Sequence, residues 1–402
     1  MPSVLSLWTR IRRRIWFRTA LFSLAGLATA LAAAVIGPML PYHVQNAIDL
    51  KAVDDLLSIL TSSMLAVTTF SVTIMLSAMA GATSNATPRA TTLLMQDSTT
   101  QNTLATFLGA FLFAVVGIIA LRIGIYGPSG RIVLFTSAIL VILWIAITLL
   151  RWIDHLSTFG RVSDIVDRIE RSACTAIADW HRHPCLGGAA AVPVPATARR
   201  IFPTAIGHIR EIDVAALSAL ANADGSTVHV LLRPGAFVHP ARAILAIEGA
   251  IDEDRARDSV VVGHDRSFDQ DPRFGLIVLS EVGNRAMSPA INDPGTAYRV
   301  LGAGLRALVL VAGTMPDADG GCGNVHVTPL DPAECVNDFF APLLPDLAPN
   351  AGLVLRAHKT LDALVLLAPA TAPQVARLKA ELDAHAAEDD RPPPAPTKMR
   401  AG

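Results

Sequence analysis

Charged residues and cysteines are scarce in this chain of 402 residues. Charged side chains make up 17% of the sequence, whereas hydrophobic residues make up 52% and the mean hydropathy is +0.45. These values depart from those of ordinary globular domains and predict membrane spans. The four cysteines have no CxxC spacing, which disfavours a disulfide scaffold, so we interpret them as buried or free thiols.

An excess of basic residues and the common catalytic motifs are also missing. The formal net charge is −1, so no global basic field recruits nucleic acid. No Ser-His-Asp, Walker, HExxH or paired-glutamate constellation is recognisable in the sequence. An enzyme is therefore not the favoured interpretation, and we expect no cofactor and no metal.

Four long apolar runs predict an α-helical membrane domain over residues 1–152. They cover about 17–38, 56–80, 104–123 and 132–152, each near the roughly 20 residues that a bilayer core requires. No Asp, Glu, Lys or His lies inside them. Because ionisable groups inside the membrane mark coupling sites, their absence disfavours a proton-driven transporter and leaves a passive conduit open.

The distribution of arginine predicts the orientation of the spans. Five arginines lie before or at the start of the first run (Arg10, Arg12, Arg13, Arg14 and Arg18), and four lie at or after the end of the last (Arg151, Arg161, Arg168 and Arg171), whereas the loop after the first run carries one lysine and three aspartates. Since arginine and lysine favour cytoplasmic loops, we expect a multi-pass protein of the bacterial inner membrane with both termini in the cytoplasm. Its first partner is then the lipid bilayer. Arg122 and Arg131 on the outer side are mild exceptions.

The second run carries hydroxyl-bearing side chains at helical spacing, which place them on one face of a helix. We call this set the hydroxyl face: Ser58, Ser62, Thr69, Thr73 and Ser77. The favoured interpretation is helix packing, since small hydroxylated residues let transmembrane helices approach closely. The alternative is the polar wall of a pore formed by a homo-oligomer.

Residues 153–200 are typical of an amphipathic stalk helix followed by a linker. Apolar residues recur at helical spacing from Val162 to Trp180, and such a helix could pair with copies of itself. His181, His183 and Cys185 follow, but a fourth ligand is not evident, so a solvated helix end is favoured over a metal site.

Residues 201–385 predict a cytoplasmic α+β domain, and the charged, proline-rich residues 386–402 predict a disordered tail. A strand over Val228–Leu232, a Pro234-Gly235 turn and a strand over Ile244–Ile247 resemble the small β-hammerhead of carrier and adaptor proteins. Carriers of this type need a lysine at the hairpin tip. None lies between Lys51 and Lys359, so a biotin or lipoate carrier is excluded.

Two polar segments are candidate ligand-binding sites. The first contains His264, Asp265, Arg266, Asp269 and Asp271. Three aspartates could hold a divalent cation. Arg–Asp pairing within the loop is the favoured interpretation, because the spacing lacks the glycine and distal glutamate of an EF-hand.

The second segment lies within "RAMSPAINDPGTAYRVL". Its proline-rich centre predicts the stop of one helix and the start of the next, with Asn292 or Asp293 as the N-cap and Pro294 in the first turn. A free helix start can also bind a small anion. The candidate residues for that alternative are Ser288, Asn292, Asp293 and Thr296, with Arg266 and Arg285 expected nearby.

These motifs together resemble the bacterial family of predicted membrane proteins with the domain of unknown function 2254. The resemblance rests on "HDRSFDQDPRFGL" and "NRAMSPAINDPGTA", and on "FSVTIMLS", Thr87–Arg89 and "LATFLGAFLFA" in the membrane half. It covers about 21–310. Glu281 stands where this family commonly has Asp, and Ala290 where it usually has Gly. The resemblance implies the two-part architecture and no reaction.

Three functional hypotheses follow. The leading one is an oligomeric, channel- or transport-like membrane protein with a cytoplasmic regulatory domain. The second is a membrane-anchored anion sensor or enzyme that uses the polar segments 264–273 and 288–296. The third is a structural membrane component.

Overall fold

The computed structural model describes residues 50–126, 128–313 and 321–389, together with a few positions between 20 and 32. The chain divides into two compact units. Of the described residues, the membrane unit comprises those up to Ser84 and those of Pro88–Asp164, and the C-terminal unit comprises Asn85–Thr87 and residues 165–313 and 321–389. The first predicted span, 17–38, lies for the most part outside the described residues, so the prediction of four membrane helices is not confirmed.

Three described helices of the membrane unit are long and apolar enough to cross a bilayer. Their candidate spans are Lys51–Ser84, Ser98–Arg122 and Ser129–Leu156, which overlap the second, third and fourth predicted spans. The helices extend beyond the apolar runs, because hydropathy marks only the part that matches the hydrocarbon core. The unit contains α1 (Leu50–Asn85), α2 (Thr91–Met95), α3 (Ser98–Arg122) and α4 (Pro128–Leu156).

The helix α3 is the buried helix of the membrane unit. In its most apolar stretch 61% of the residues are buried, against 17% in α1 and in α4. Gly117 lets the side chains of Leu57 from α1 and Leu134 from α4 approach the α3 backbone. Small residues allow such close packing between membrane helices. The helix α3 therefore forms the core on which α1 and α4 pack.

The C-terminal unit contains two β-sheets. Five strands form a mixed sheet in the order β1-β8-β4-β6-β2, and three form a second sheet in the order β5-β3-β7. The strands are β1 (Gly188–Ala190), β2 (Arg199–Ile201), β3 (Gly207–Ile212), β4 (Thr227–Val230), β5 (Phe237–Val238), β6 (Leu245–Glu248), β7 (Val260–Gly263) and β8 (Cys322–Val327). In the larger sheet, β4 pairs antiparallel with β6 and parallel with β8.

Helices complete this unit and confirm the predicted α+β region. They are α5 (Val162–Arg182), α6 (Val214–Asp224), α7 (Glu253–Asp258), α8 (Phe274–Met287), α9 (Pro294–Val311), α10 (Pro332–Phe340), α11 (Leu344–Leu347), α12 (Ala351–Leu367) and α13 (Ala372–Asp389). The helix α6 covers the larger sheet, and its Leu217 joins Val228 and Val325 in one apolar core. The helix α8 packs on α9 and α10.

The predicted strand–turn–strand element is present, and the turn has an additional role. The strands β4 and β6 pair directly, with Val228 opposite Ile247. Between them the chain leaves the larger sheet, and Phe237–Val238 pairs with β3 in the second sheet. Gly235 in the connecting turn has φ +89°, a left-handed conformation that favours glycine. The turn thus carries the chain from one sheet to the other.

The predicted amphipathic helix is present, and its apolar face packs inside its own unit. The helix α5 begins at Val162, and its apolar face, including Ile169, Ile177 and Trp180, is buried within the C-terminal unit. Gly275 of α8 allows its backbone to lie against Ala173. An amphipathic pattern shows that one face is buried and does not tell which partner buries it. The apolar face of α5 is therefore not available for pairing with another copy of the chain.

The predicted boundary between the C-terminal domain and the tail also differs from the structure. Residues 386–389, assigned to a disordered tail, belong to α13, which extends to Asp389. The remaining residues of the predicted tail, 390–402, lie outside the described residues. Good helix formers such as Ala and Glu favour continuation of the helix beyond 385.

Candidate functional site

The segment 264–273 is organised around a buried carboxylate. The Asp271 side chain is 1% exposed and accepts hydrogen bonds from Arg266 Nε at 2.8 Å and from the backbone N–H groups of Arg273 (3.1 Å) and Phe274 (3.2 Å). Burial raises the pKa of Asp271, and the Arg266 guanidinium opposes that rise. Arg266 also lies over the Phe274 ring, 5.3 Å from its centroid. The pair joins the loop to the start of α8.

The Pro234-Gly235 turn lies directly on this pair. A side chain at Gly235 would collide with the Asp271 carboxylate and the Arg266 guanidinium. Because the φ of Gly235 is also left-handed, two independent constraints require glycine here. The turn between the two sheets is therefore fixed by the loop that opens α8.

A second ion-pair group continues from the first. Arg273 donates to Asp338 from Nε at 2.5 Å and from Nη2 at 2.9 Å, and to Glu334 from Nη1 at 2.6 Å. Arg233 pairs with the same Glu334. The hydrogen bonds to Asp338 raise the pKa of Arg273 above its usual value. Burial raises the pKa of the neighbouring Cys335 thiol to about 12, which makes this thiol unreactive.

The charges of these two groups balance, and we call them together the arginine–carboxylate junction. Its members are Arg233, Arg266, Arg273, Asp271, Glu334 and Asp338. Three guanidinium groups meet three carboxylates, so the junction carries no surplus positive charge to attract an anion. Each carboxylate is engaged by arginine, which favours a structural role in joining the sheets to α8 and α10.

The other residues of the first segment do not converge on a common point. His264 and Asp265 are exposed, and the Ser267 hydroxyl donates to Asp269 at 2.7 Å. Gln270 pairs with the backbone of Ile212, accepting its N–H at 2.9 Å. Within the described part of the chain, no group of three or more His, Cys, Asp or Glu side chains could hold a metal ion.

The second segment forms the predicted corner between two helices. The helix α8 ends at Met287, α9 begins at Pro294, and the Asp293 N–H donates to the Ala286 carbonyl at 2.7 Å. Asn292 has a left-handed φ of 46°, a conformation that asparagine tolerates better than most residues. The corner is therefore made by local backbone chemistry.

The start of α9 is occupied by its own cap. Asp293 accepts the Thr296 N–H at 3.1 Å and the Thr296 hydroxyl at 2.6 Å, and these bonds lower the pKa of Asp293. The Ser288 hydroxyl donates to the Arg285 carbonyl at 2.7 Å. A carboxylate already satisfies the helix start, which leaves less attraction for an external anion.

The two polar segments do not form one site. They lie at opposite ends of α8, whose length of 14 residues separates them by about 20 Å at 1.5 Å per residue. Arg266 binds Asp271 beside the start of α8, so the expectation that it lies near Asn292 and Asp293 is wrong.

The hydroxyl face of α1 is exposed. All its members, Ser58, Ser62, Thr69, Thr73 and Ser77, are solvent-accessible. The helical repeat places them roughly opposite the buried residues Val53, Leu57, Leu60 and Met64. Thr69 and Thr73 donate to the carbonyls of Leu65 (2.9 Å) and Thr69 (3.0 Å). Packing among the described helices of this chain therefore does not account for the hydroxyl face.

Two contacts were not found from the sequence. His155 of α4 lies 3.1 Å from Asp97, and the Thr87 hydroxyl donates to Glu281 at 3.1 Å. Asp97 directly precedes three hydroxyl residues, a pattern that predicts a helix cap. No local pattern indicates its partner 58 positions along the chain or the partner of Thr87.

The family model described as "Predicted membrane protein (DUF2254)" matches residues 12–363. The chain belongs to this family. An uncharacterised protein of Mycobacterium bovis and one of Mycobacterium tuberculosis are each 32% identical to this chain over 117 residues. The aligned part covers 27% of this chain and 22% of each relative. The match thus spans about a fifth of the relatives' length. No solved structure matches significantly.

Proposed function

We propose that this chain is a homo-oligomeric, channel- or transport-like protein of the bacterial inner membrane. The hydroxyl faces of several copies line a polar path, and the C-terminal unit regulates it from the cytoplasm, where both termini lie. The observation that carries the proposal is the exposure of the hydroxyl face on the side of α1 that faces away from the core of the membrane unit.

The chemistry of the hydroxyl face suits water or a partly hydrated cation. Thr69 and Thr73 donate their hydroxyl hydrogens to the backbone, and each oxygen keeps acceptor capacity. An acceptor-lined wall can replace part of an ion's hydration shell. The polar path is therefore passive, since 56–84 of α1 carries no ionisable side chain.

The C-terminal unit supports a regulatory role better than a catalytic one. Its densest polar group, the arginine–carboxylate junction, is charge-balanced and internally paired. A sensor for a small anion at the start of α9 has less support, because Asp293 already accepts the N–H there.

Flux into liposomes that contain the purified full-length protein tests the proposal. Replacing Thr69 and Thr73 by leucine removes acceptors from the hydroxyl face and should reduce cation flux at least tenfold. The matched control is Thr148→Leu on α4, since Thr148 is partly exposed and likewise donates to a carbonyl one turn earlier, that of Trp144, at 2.8 Å. Absence of flux for water and all tested ions would favour the structural-component hypothesis.

A further inference from the structure

Titratable and aromatic side chains meet at the end of α4. The His155 imidazole Nε2 lies 3.1 Å from Asp97 Oδ2 and 3.4 Å from Thr100 Oγ1. The side chains of His155 and Asp97 are only 15% and 10% exposed. The imidazole also stacks on Trp152, with ring centroids 5.6 Å apart, and contacts the Phe159 ring at 5.1 Å.

Asp97 is held in place by the helix that it caps. Its Oδ2 accepts the Thr100 N–H and the Thr100 hydroxyl, both at 2.7 Å. These bonds fix the carboxylate at the start of α3. The interaction with His155 therefore joins the N-terminal cap of α3 to the last turn of α4.

The end of α4 is also attached to α1. Trp152 Nε1 donates to the Ser71 hydroxyl at 3.0 Å, and both side chains are buried. Gly160, with φ +79°, lies against Ala78. The imidazole thus sits where three candidate membrane helices are joined, and its contact with Asp97 pairs two ionisable groups.

Protonation of the imidazole strengthens the contacts on both sides of the ring. A cationic donor makes a shorter and roughly twofold stronger hydrogen bond to a carboxylate than a neutral donor does. An aromatic face attracts a cation, and the last turn of a helix favours positive charge. Thr100 and Phe159, which also contact the ring, are neutral, and Arg151 and Asp154 on the same helix are exposed.

We propose that His155 and Asp97 form a proton-sensitive latch in the membrane unit. Protonated His155 ties the end of α4 tightly to the start of α3, and neutral His155 holds it by an ordinary hydrogen bond. The latch sets the relative freedom of these two helix ends. It does not depend on the proposed conduction, because it concerns the stability of the helix packing itself.

A double-mutant cycle measured at two pH values tests the latch. The full-length protein in nanodiscs is compared with His155→Gln, Asp97→Asn and the double variant at about pH 5.5 and about pH 8, which bracket the range in which histidine usually titrates. The asparagine side chain in Asp97→Asn can still cap α3, so the helix start is kept. Between about pH 5.5 and about pH 8, the thermal unfolding midpoint of the wild type should fall by about 2–4 °C more than that of His155→Gln.

The non-additivity of the two changes should be larger at the lower pH. His183→Gln, at an exposed histidine of the C-terminal unit, is the control and should keep the wild-type profile. Equal non-additivity at both pH values would overturn the latch, since it would show an ordinary hydrogen bond. The same pH profile for wild type and His155→Gln would overturn it as well.

Fluorescence provides a second readout that does not require every variant to be stable. An imidazolium in contact with an indole quenches its emission, so the emission of Trp152 should decrease on acidification. His155→Gln should remove that component and leave the signals of the other four tryptophans. A pH response that survives His155→Gln unchanged would overturn the proposal.

Discussion

Removing the Asp271 carboxylate should destabilise the C-terminal unit more than any surface ion-pair change. Asp271→Ala leaves Arg266 without its partner and removes the acceptor for two backbone N–H groups at the start of α8. Breaking a buried pair by removing one partner costs about 3–5 kcal/mol. The Arg266 side chain is 20% exposed and can recover some hydration, so we expect about 3 kcal/mol, the lower end of that range.

Removing Arg266 should destabilise the protein by an amount that depends on pH. In Arg266→Ala, the buried Asp271 loses its guanidinium, and the desolvation that already raises its pKa is no longer opposed. A carboxyl whose pKa is higher in the folded than in the unfolded state stabilises the protein at low pH and loses that contribution as the pH rises. The loss of unfolding free energy caused by Arg266→Ala, relative to the wild type, should therefore become smaller on acidification from about pH 7 towards pH 4.

Urea unfolding of the full-length protein in detergent, followed by tryptophan emission, to which the buried Trp180 of the C-terminal unit contributes, measures these free energies. The matched control is Asp254→Ala, which breaks the pair of Arg257 with the exposed Asp254 of α7 and should change stability by less than about 1 kcal/mol. The double variant Arg266→Ala with Asp271→Ala should be less destabilised than the sum of the single changes. A cost of Asp271→Ala no greater than that of Asp254→Ala would refute a stabilising role of the buried pair.

Two further predictions use matched positions in α9. Gly304→Ala would drive a methyl group into the Phe339 ring and should destabilise the protein by about 1–3 kcal/mol. Gly302→Ala meets only the end of Arg306 and should stabilise the protein by up to about 1 kcal/mol. Equal shifts of the thermal unfolding midpoint for the two variants would contradict this packing. Asp293→Ala should cost about 1 kcal/mol and Asp293→Asn less. Hydrogen bonding lowers the pKa of Asp293 in the folded protein. The ionised carboxylate therefore stabilises the protein above the pKa of the unfolded state, about 3.9, and this stabilisation is lost as the pH falls through the pKa of the folded state. Acid unfolding of Asp293→Asn should lack this pH-dependent loss of stability.

The corner between α8 and α9 shows how much local chemistry determines. Pro289 cannot continue a helix, Asp293 caps the next one and Pro294 fits its first turn, and all three effects act within a few residues. The candidate membrane spans are determined in a similarly local way, because a bilayer requires about 20 apolar residues in succession. Both features could be predicted from the sequence for this reason.

The tertiary structure decided which partner each polar or apolar side chain meets. Arg273 binds Asp338, 65 positions away along the chain, and α5 turns its apolar face to α8 of its own unit. Sequence spacing tells that a face is apolar or that a charge needs a partner, but the partner depends on which distant elements the fold brings together. The periodic pattern of the hydroxyl face of α1 could be recognised in the sequence. Its exposure could not, because it depends on α1 packing against α3 through its opposite side.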